Sequence, residues 1–171
     1  MFRAGARVVV LLWCSVALVA TAQARPKPAV VPTPAFRLPT RSGDVSLAAL
    51  RGKVVYVDFW ASWCGPCRAS FPWMTALVQK QHGRGLEVVA INLDKDRALA
   101  EGFLAEHLAT APAGFTVAFD PAGKTAESFR VAAMPSSFLI GRDGQVLVRH
   151  AGFAARHTAS LEKQIEEALA R

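Results

Sequence analysis

KVVYVDFWASWCGPCR, Lys53 to Arg68, decides how this chain folds. Its first half, Lys53 to Trp60, is a near-continuous apolar run rich in β-branched and aromatic residues. That is the composition of a central strand buried on both faces of a parallel sheet. Its second half holds Cys64 and Cys67, separated only by Gly65 and Pro66. Proline suits the first turn of a helix, so the spacing predicts a strand that ends near Trp60 and a helix that begins at the cysteines. A cysteine at such a junction meets free backbone N–H groups and the positive end of the helix dipole. Both favour a thiolate, and such sites lower thiol pKa values to roughly 3.5–7.5. Cys64 is then the nucleophile that forms a mixed disulfide with a partner. Cys67, one turn along, resolves that bond. Gly65 and Pro66 keep the loop tight.

Other uses of the pair remain open on the residues alone. A tetrahedral zinc site wants four ligands. The third cysteine, Cys14, lies in the N-terminal apolar run, and His82, His107, His150 and His157 are isolated from one another. A purely structural bridge across two residues closes too small a loop to stabilise much by chain entropy. A single-cysteine peroxidase is the third alternative. No metal site and no cofactor beyond the cysteine pair is expected.

Outward from this stretch, the proline inside the helix (Pro72) is expected to kink it before it ends near Gln81. Leu86 to Leu93 reads as a second buried strand. A helix carrying Leu99, Phe103 and Leu104 follows, then a short strand at Phe115 to Phe119 and a short helix over Pro121 to Phe129. Gly141-Arg142-Asp143-Gly144 sits between two strands as a hairpin turn. Thr158 is expected to cap a last helix with Leu161, Ile165, Ala168 and Leu169 in one stripe. Before the central strand, Phe36 and Leu38 alternate with polar residues ahead of a turn at Arg41 to Asp44. Ser46 is placed to cap a helical turn ending at Gly52. Strands alternating with helices, plus a hairpin, predict an α/β sheet covered on both faces.

The N-terminus has a separate logic. Arg3 and Arg7 precede an apolar run, Val8 to Thr21, and Ala22-Gln23-Ala24 fits a small-x-small cleavage pattern. Residues 1–24 therefore read as a secretory signal peptide, with an uncleaved membrane anchor as the alternative. A lipid attached at Cys14 is disfavoured by Trp13 just before it. Arg25 to Ala35 is proline-rich and extended, spanning roughly 30 Å as a tail or stalk. The folded domain is expected over 36–171. The chain has 171 residues, a net charge of +7 and 52% hydrophobic residues, enough for one sizeable core. Its basic residues are scattered without interleaved aromatics, so nucleic-acid binding has no support. Export would place the cysteine pair where disulfides persist, in the periplasm or another extracytoplasmic space.

VVYVDFWASWCGPCR resembles the active-site segment of the thioredoxin superfamily. Pro72, five residues after Cys67, matches that family's helix proline, and Met134-Pro135 resembles its cis-proline loop. The resemblance covers Phe36 to the C-terminus. The PAFRLPTRSGDVSL lead-in and the LEVVAINLDKD strand look most like the TlpA/ResA type, exported or membrane-anchored thiol–disulfide oxidoreductases with an extra helix and strand. Asp96 to Phe119 fits that insertion. The resemblance implies a thioredoxin-like fold with a central mixed β-sheet and helices on both faces. It makes Asp58 the buried acid that relays a proton to or from Cys67. Ala90 stands where thioredoxin pairs that acid with a lysine, a departure that leaves the relay differently tuned. Met134 and Pro135 would bind an extended substrate segment, Trp63 would offer partners an apolar surface, and Trp60 belongs to the core. Arg68 is an exposed helix arginine that would support the thiolate electrostatically.

The implied activity is disulfide exchange with protein thiols, as a reductant recharged by a membrane thiol-electron transporter. Apocytochrome c thiols and copper-site cysteines are the implied clients. A disulfide oxidant or isomerase is the alternative in the same chemistry, and a thiol-based metal or haem assembly factor the alternative outside it. A peroxidase of the peroxiredoxin group would carry threonine three residues before its cysteine, where this chain has Ala61. With no dimerisation segment apparent, a monomer is expected.

Overall fold

The computed structural model describes residues 33–171. The expected leader, and the linker up to residue 32, lie outside the described residues. A small antiparallel hairpin opens the fold, β1 (Arg37–Pro39) with β2 (Asp44–Ser46). Ser46 accepts the Ala49 N–H and so caps the 3-10 turn Leu47–Leu50. The central strand β3 (Val54–Trp60) follows, every residue buried. Then come α1 (Gly65–Gln81), β4 (Leu86–Asn92), α2 (Arg97–His107), β5 (Phe115–Phe119), α3 (Lys124–Ser128), β6 (Ser136–Ile140), β7 (Val146–Ala151) and α4 (Thr158–Leu169).

The main sheet has the order β5-β4-β3-β6-β7. β3 runs parallel to β4, and β4 to β5, whereas β6 is antiparallel to both β3 and β7. The sheet is therefore mixed, as expected, and the α2–β5 insertion forms its outer edge. Strand side chains alternate between faces. Val54, Tyr56 and Trp60 join Phe71 and Met74 of α1, Phe103 of α2 and Ile165 of α4 in one core. Val55, Val57 and Phe59 pack on the other face against Phe36, Leu38, Leu47 and Phe129. Three long helices cover the first face. The second is covered by the hairpin, the 3-10 turn and α3. Each fully buried large apolar side chain contributes about 1.5–3 kcal/mol.

Pro72 lies inside α1, which continues through it to Gln81. The helix expected over Pro121–Phe129 is shorter, Lys124–Ser128. Asp120 ends the preceding strand and turns its carboxylate onto the N–H groups of Thr125 (2.8 Å) and Ala126 (3.2 Å), so the helix begins only after Gly123. Thr158 is the first residue of α4 rather than its cap. Its hydroxyl donates backward to the Ala155 carbonyl, and His157 occupies the cap position without a side-chain bond. The turn between β6 and β7 closes by Gly144 N–H donating to Gly141 C=O at 2.8 Å, with Gly144 at φ +73°. Among the described residues, no helix is long and apolar enough to cross a membrane.

Candidate active site

β3 delivers its C-terminal end to a three-residue loop, Ala61 to Trp63, and Cys64 then occupies the N-cap position of α1 with Pro66 in the first turn. The Cys64 N–H donates to Ala61 C=O at 3.0 Å, and the Cys67 N–H donates to Cys64 C=O at 3.1 Å. No acidic residue lies in that first turn, so the positive helix end is not neutralised from within. Cys64 and Cys67 are joined as a disulfide. The two sulfur-bearing residues differ in access: Cys64 keeps 4% exposure and Cys67 none. What little of the pair meets solvent belongs to Cys64. A Cβ on Gly65 would meet nothing within 4 Å, so the packing itself does not require glycine there.

Trp63 is 69% exposed beside this opening, whereas Trp60, three residues earlier, is fully buried. Trp60 packs edge-on to Phe71 and tilted on Phe103. Phe59 pairs with Ser136 across the sheet, so Met134 and Pro135, just before β6, lie at the same end of β3 as the cysteine loop. The Met134–Pro135 peptide bond is cis. Met134 packs on the core cluster that contains both cysteines, and Pro135 C=O accepts the Gly152 N–H at 2.7 Å. Arg68 is exposed on α1.

Asp58 lies on the sheet face that packs against α1, two residues from both Tyr56 and Trp60. It is 2% exposed, and its Oδ2 has no hydrogen-bond partner. Its neighbours across the sheet are Ala90 on β4, which has no polar atom to offer, and Ser137 on β6. Burial pushes its carboxyl well above the usual carboxylate range. Burial and the Asp58 charge also push the Tyr56 phenol up, partly offset by the Ser137 hydroxyl. A carboxyl so placed holds a proton more tightly than a solvated one.

A second acid supports the loop and was not singled out from the sequence. Asp94, 4% exposed, accepts the Ser62 N–H (2.8 Å) and the Asn92 side-chain N–H (2.8 Å) on Oδ2, and the Ser62 hydroxyl (3.0 Å) on Oδ1. Its own N–H donates to Asn92 Oδ1 at 3.0 Å. The signal was the polar Asn-Leu-Asp that closes an otherwise apolar strand. This clamp fixes Ser62, two residues before Cys64, to the end of β4.

Comparisons with known proteins fit this geometry. The sequence profile of the Redoxin family matches residues 28–168. A thiol:disulfide interchange protein DsbE homologue of Paracoccus denitrificans is 39% identical over 119 residues, 68% of this chain and 62% of its own. The thiol-disulfide oxidoreductase ResA of Bacillus cereus is 32% identical over 108 residues, 63% of this chain and 60% of its own. The chain thus spans about 60% of the length of these curated relatives. A crystal structure assigned to a DsbE-type thiol:disulfide interchange protein of Chlorobium tepidum is 50% identical, with a TM-score of 0.77, over 82% of this chain and 96% of that one.

Proposed function

The chain belongs to the Redoxin family, as a thioredoxin-like protein of the TlpA/ResA type, and from that premise we propose that it is an exported thiol–disulfide oxidoreductase that reduces disulfides of extracytoplasmic proteins. The observation that carries the reading is the Cys64–Cys67 disulfide at the N-terminus of α1, with Cys67 fully covered and Cys64 the more exposed of the two.

In the reduced protein, Cys64 thiolate attacks a substrate disulfide. A Cys64–substrate bond forms, and one substrate sulfur leaves as a thiolate that takes up a proton. Cys67 then loses its proton to the Asp58 carboxylate and attacks Cys64. The internal disulfide closes, and the second substrate sulfur departs reduced. Two electrons pass to the substrate, and the protein ends oxidised. Met134 and Pro135 would hold the substrate backbone as an added strand. Trp63 would cover the substrate's apolar side chains. A membrane thiol-electron transporter would return the electrons. Exported proteins with cysteine pairs, such as apocytochrome c or copper-site proteins, are the clients this chemistry suits. Residues 1–24 would direct export to the periplasm or remain as an anchor, and the protein would act as a monomer.

The deciding measurement is the reduction potential of the Cys64–Cys67 couple in a thiol/disulfide buffer series. A value near about −270 mV, in the range of thioredoxin, supports a reductant. A value near about −120 mV assigns the same residues to disulfide formation instead. Cys64→Ala should abolish insulin disulfide reduction. Full activity in that variant would remove thiol exchange altogether.

A further inference from the structure

Beside Asp58 the sheet carries a line of polar groups on the face that packs against the helices. Asp58 on β3 lies opposite Ser137 on β6, and Ser137 lies opposite His150 on β7. Directly opposed side chains in antiparallel strands sit about 5 Å apart at Cβ. Between this line and α4 lies a cavity of about 10 Å³, room for one water. Tyr56, Ser137, His150 and Gln164 supply its polar walls, and Leu161 and Ile165 part of its apolar lining. His150 Nε2 and Gln164 Oε1 are buried and have no protein partner, as does Asp58 Oδ2. A buried water needs two to four polar partners, and this void offers four. Two orphaned polar atoms at one water-sized void are otherwise costly, at about 1–3 kcal/mol each.

We propose that this cavity holds a water that connects Asp58, through Ser137 and Tyr56, to His150 at the edge of the sheet, and that protons reach and leave Asp58 by this lateral route. The inference rests on the reading of Asp58 as the base for Cys67. The route runs across β3, β6 and β7 rather than through the cysteine loop, which a docked partner covers. When Cys67 gives its proton to Asp58, the Ser137 hydroxyl or the Tyr56 phenol takes that proton and passes its own to the water. The water passes the charge to solvent at the sheet edge, beside His150, which is half-buried and next to the ring of His157 (5.7 Å between centroids). No bond other than O–H, N–H and S–H changes, and Asp58 returns to its starting state. His150 and Gln164 act through the water, as positioning residues.

The titratable groups around Asp58 come from several elements. β3 adds Tyr56, β7 adds His150, and α1 adds the Cys67 sulfur. β4 and β6 present Ala90 and Ser137. On α4, Gln164 faces the cavity, Glu162 is engaged by the Trp73 indole at 3.0 Å, and Glu166 lies exposed near Lys80.

The test uses the reduced full chain and stoichiometric dithiobis-nitrobenzoate. Cys64 attack releases the first nitrothiolate at a rate that scales with reagent. Cys67 attack releases the second in a concentration-independent step that needs its deprotonation. Asp58→Asn should slow the second step on the order of a hundredfold, the lower end for general acid–base help, and leave the first unchanged. His150→Phe and, independently, Gln164→Leu should slow the second step about tenfold and move its pH midpoint upward, because a drier carboxyl holds its proton more tightly. His150→Gln, which keeps a polar atom at the cavity, should restore it. In an Asp58→Asn background neither change should slow the step further. A wild-type second step in both His150→Phe and Gln164→Leu, with Asp58→Asn slow, overturns the lateral route and leaves the base assignment standing. A wild-type second step in Asp58→Asn removes both.

Discussion

Just beyond β4 and β5 the buried carboxylates accept hydrogen bonds: Asp94 binds Ser62 and Asn92, and Asp120 holds N–H groups in the first turn of α3. In the middle of β3, Asp58 is just as buried but has an oxygen with no donor. Both regions are closed to bulk solvent, so the difference lies in what was built around the charge. The satisfied acids sit where strands end and backbone N–H groups are free. They fasten loops, and one of those loops carries Cys64. Asp58 sits inside a ladder whose backbone groups are already paired, where only side chains can serve it. The fold thus keeps one carboxyl at the price of an unfilled bond, on the sheet face that α1 covers.

The comparison breaks most visibly at Asp94. Asp94→Ala strands the Ser62 and Asn92 donors in a buried setting, and the expected cost is about 3 kcal/mol. That corresponds to roughly 10 °C in Tm for a domain of this size. The disulfide-exchange rate should fall as well, because the segment before Cys64 loses its tether. Thermal unfolding and dithiobis-nitrobenzoate kinetics on the same sample check both. A loss of stability with an unchanged rate would show that Asp94 holds the fold but not the reactive loop.

Asp58 should respond with the opposite sign. Its folded carboxyl binds a proton more tightly than the unfolded one, whose pKa is near 3.9. Folding is then favoured most at low pH. Stability declines as pH rises from the unfolded value through the raised folded value, beyond which the penalty is constant. Asp58→Asn removes that penalty. The variant should match the parent near pH 4 and exceed it by about 2 kcal/mol at pH 8, read from urea unfolding at each pH. Parallel stability curves would mean that Asp58 is as well served as Asp94, which would erase the contrast.

These two regions also differ in how far the sequence reveals them. The apolar run ending at Trp60, the proline after Cys64 and the Gly141–Gly144 turn act through local physics, and the elements they predict are present. Asp58 is legible through the resemblance of VVYVDFWASWCGPCR to the thioredoxin active-site segment, where it matches the buried acid. The cavity is not, because Tyr56, Ser137, His150 and Gln164 come from four elements, and only strand register and the docking of α4 bring them together. The Asp94 clamp has the same character, since its partner Ser62 is 32 residues away. Two helix starts differ from the expected ones for a related reason. Asp120 caps α3 from outside the helix, and the Thr158 hydroxyl bonds backward into a 3-10 turn instead of capping α4.

An acid at the surface sharpens the contrast from the other end. Glu101 on α2 accepts from Arg41 and from Arg97, its i,i−4 neighbour, at 2.8 Å and 3.2 Å respectively. The Arg41 hydrogen bond, ahead of the Arg97 contact, holds its carboxyl below the usual glutamate range. By bond count it resembles Asp94, but a third of its side chain meets solvent, and so do both arginines. Water replaces whatever a substitution removes. Glu101→Gln should therefore cost no more than about 0.5 kcal/mol, with most of the loss vanishing in 1 M salt. Chemical unfolding with urea at low and high ionic strength reads this directly. A cost comparable to that of Asp94→Ala would mean that partner number outweighs burial here. A small, salt-sensitive one means that exclusion of water makes Asp94 a fastener and Asp58 a reactive group.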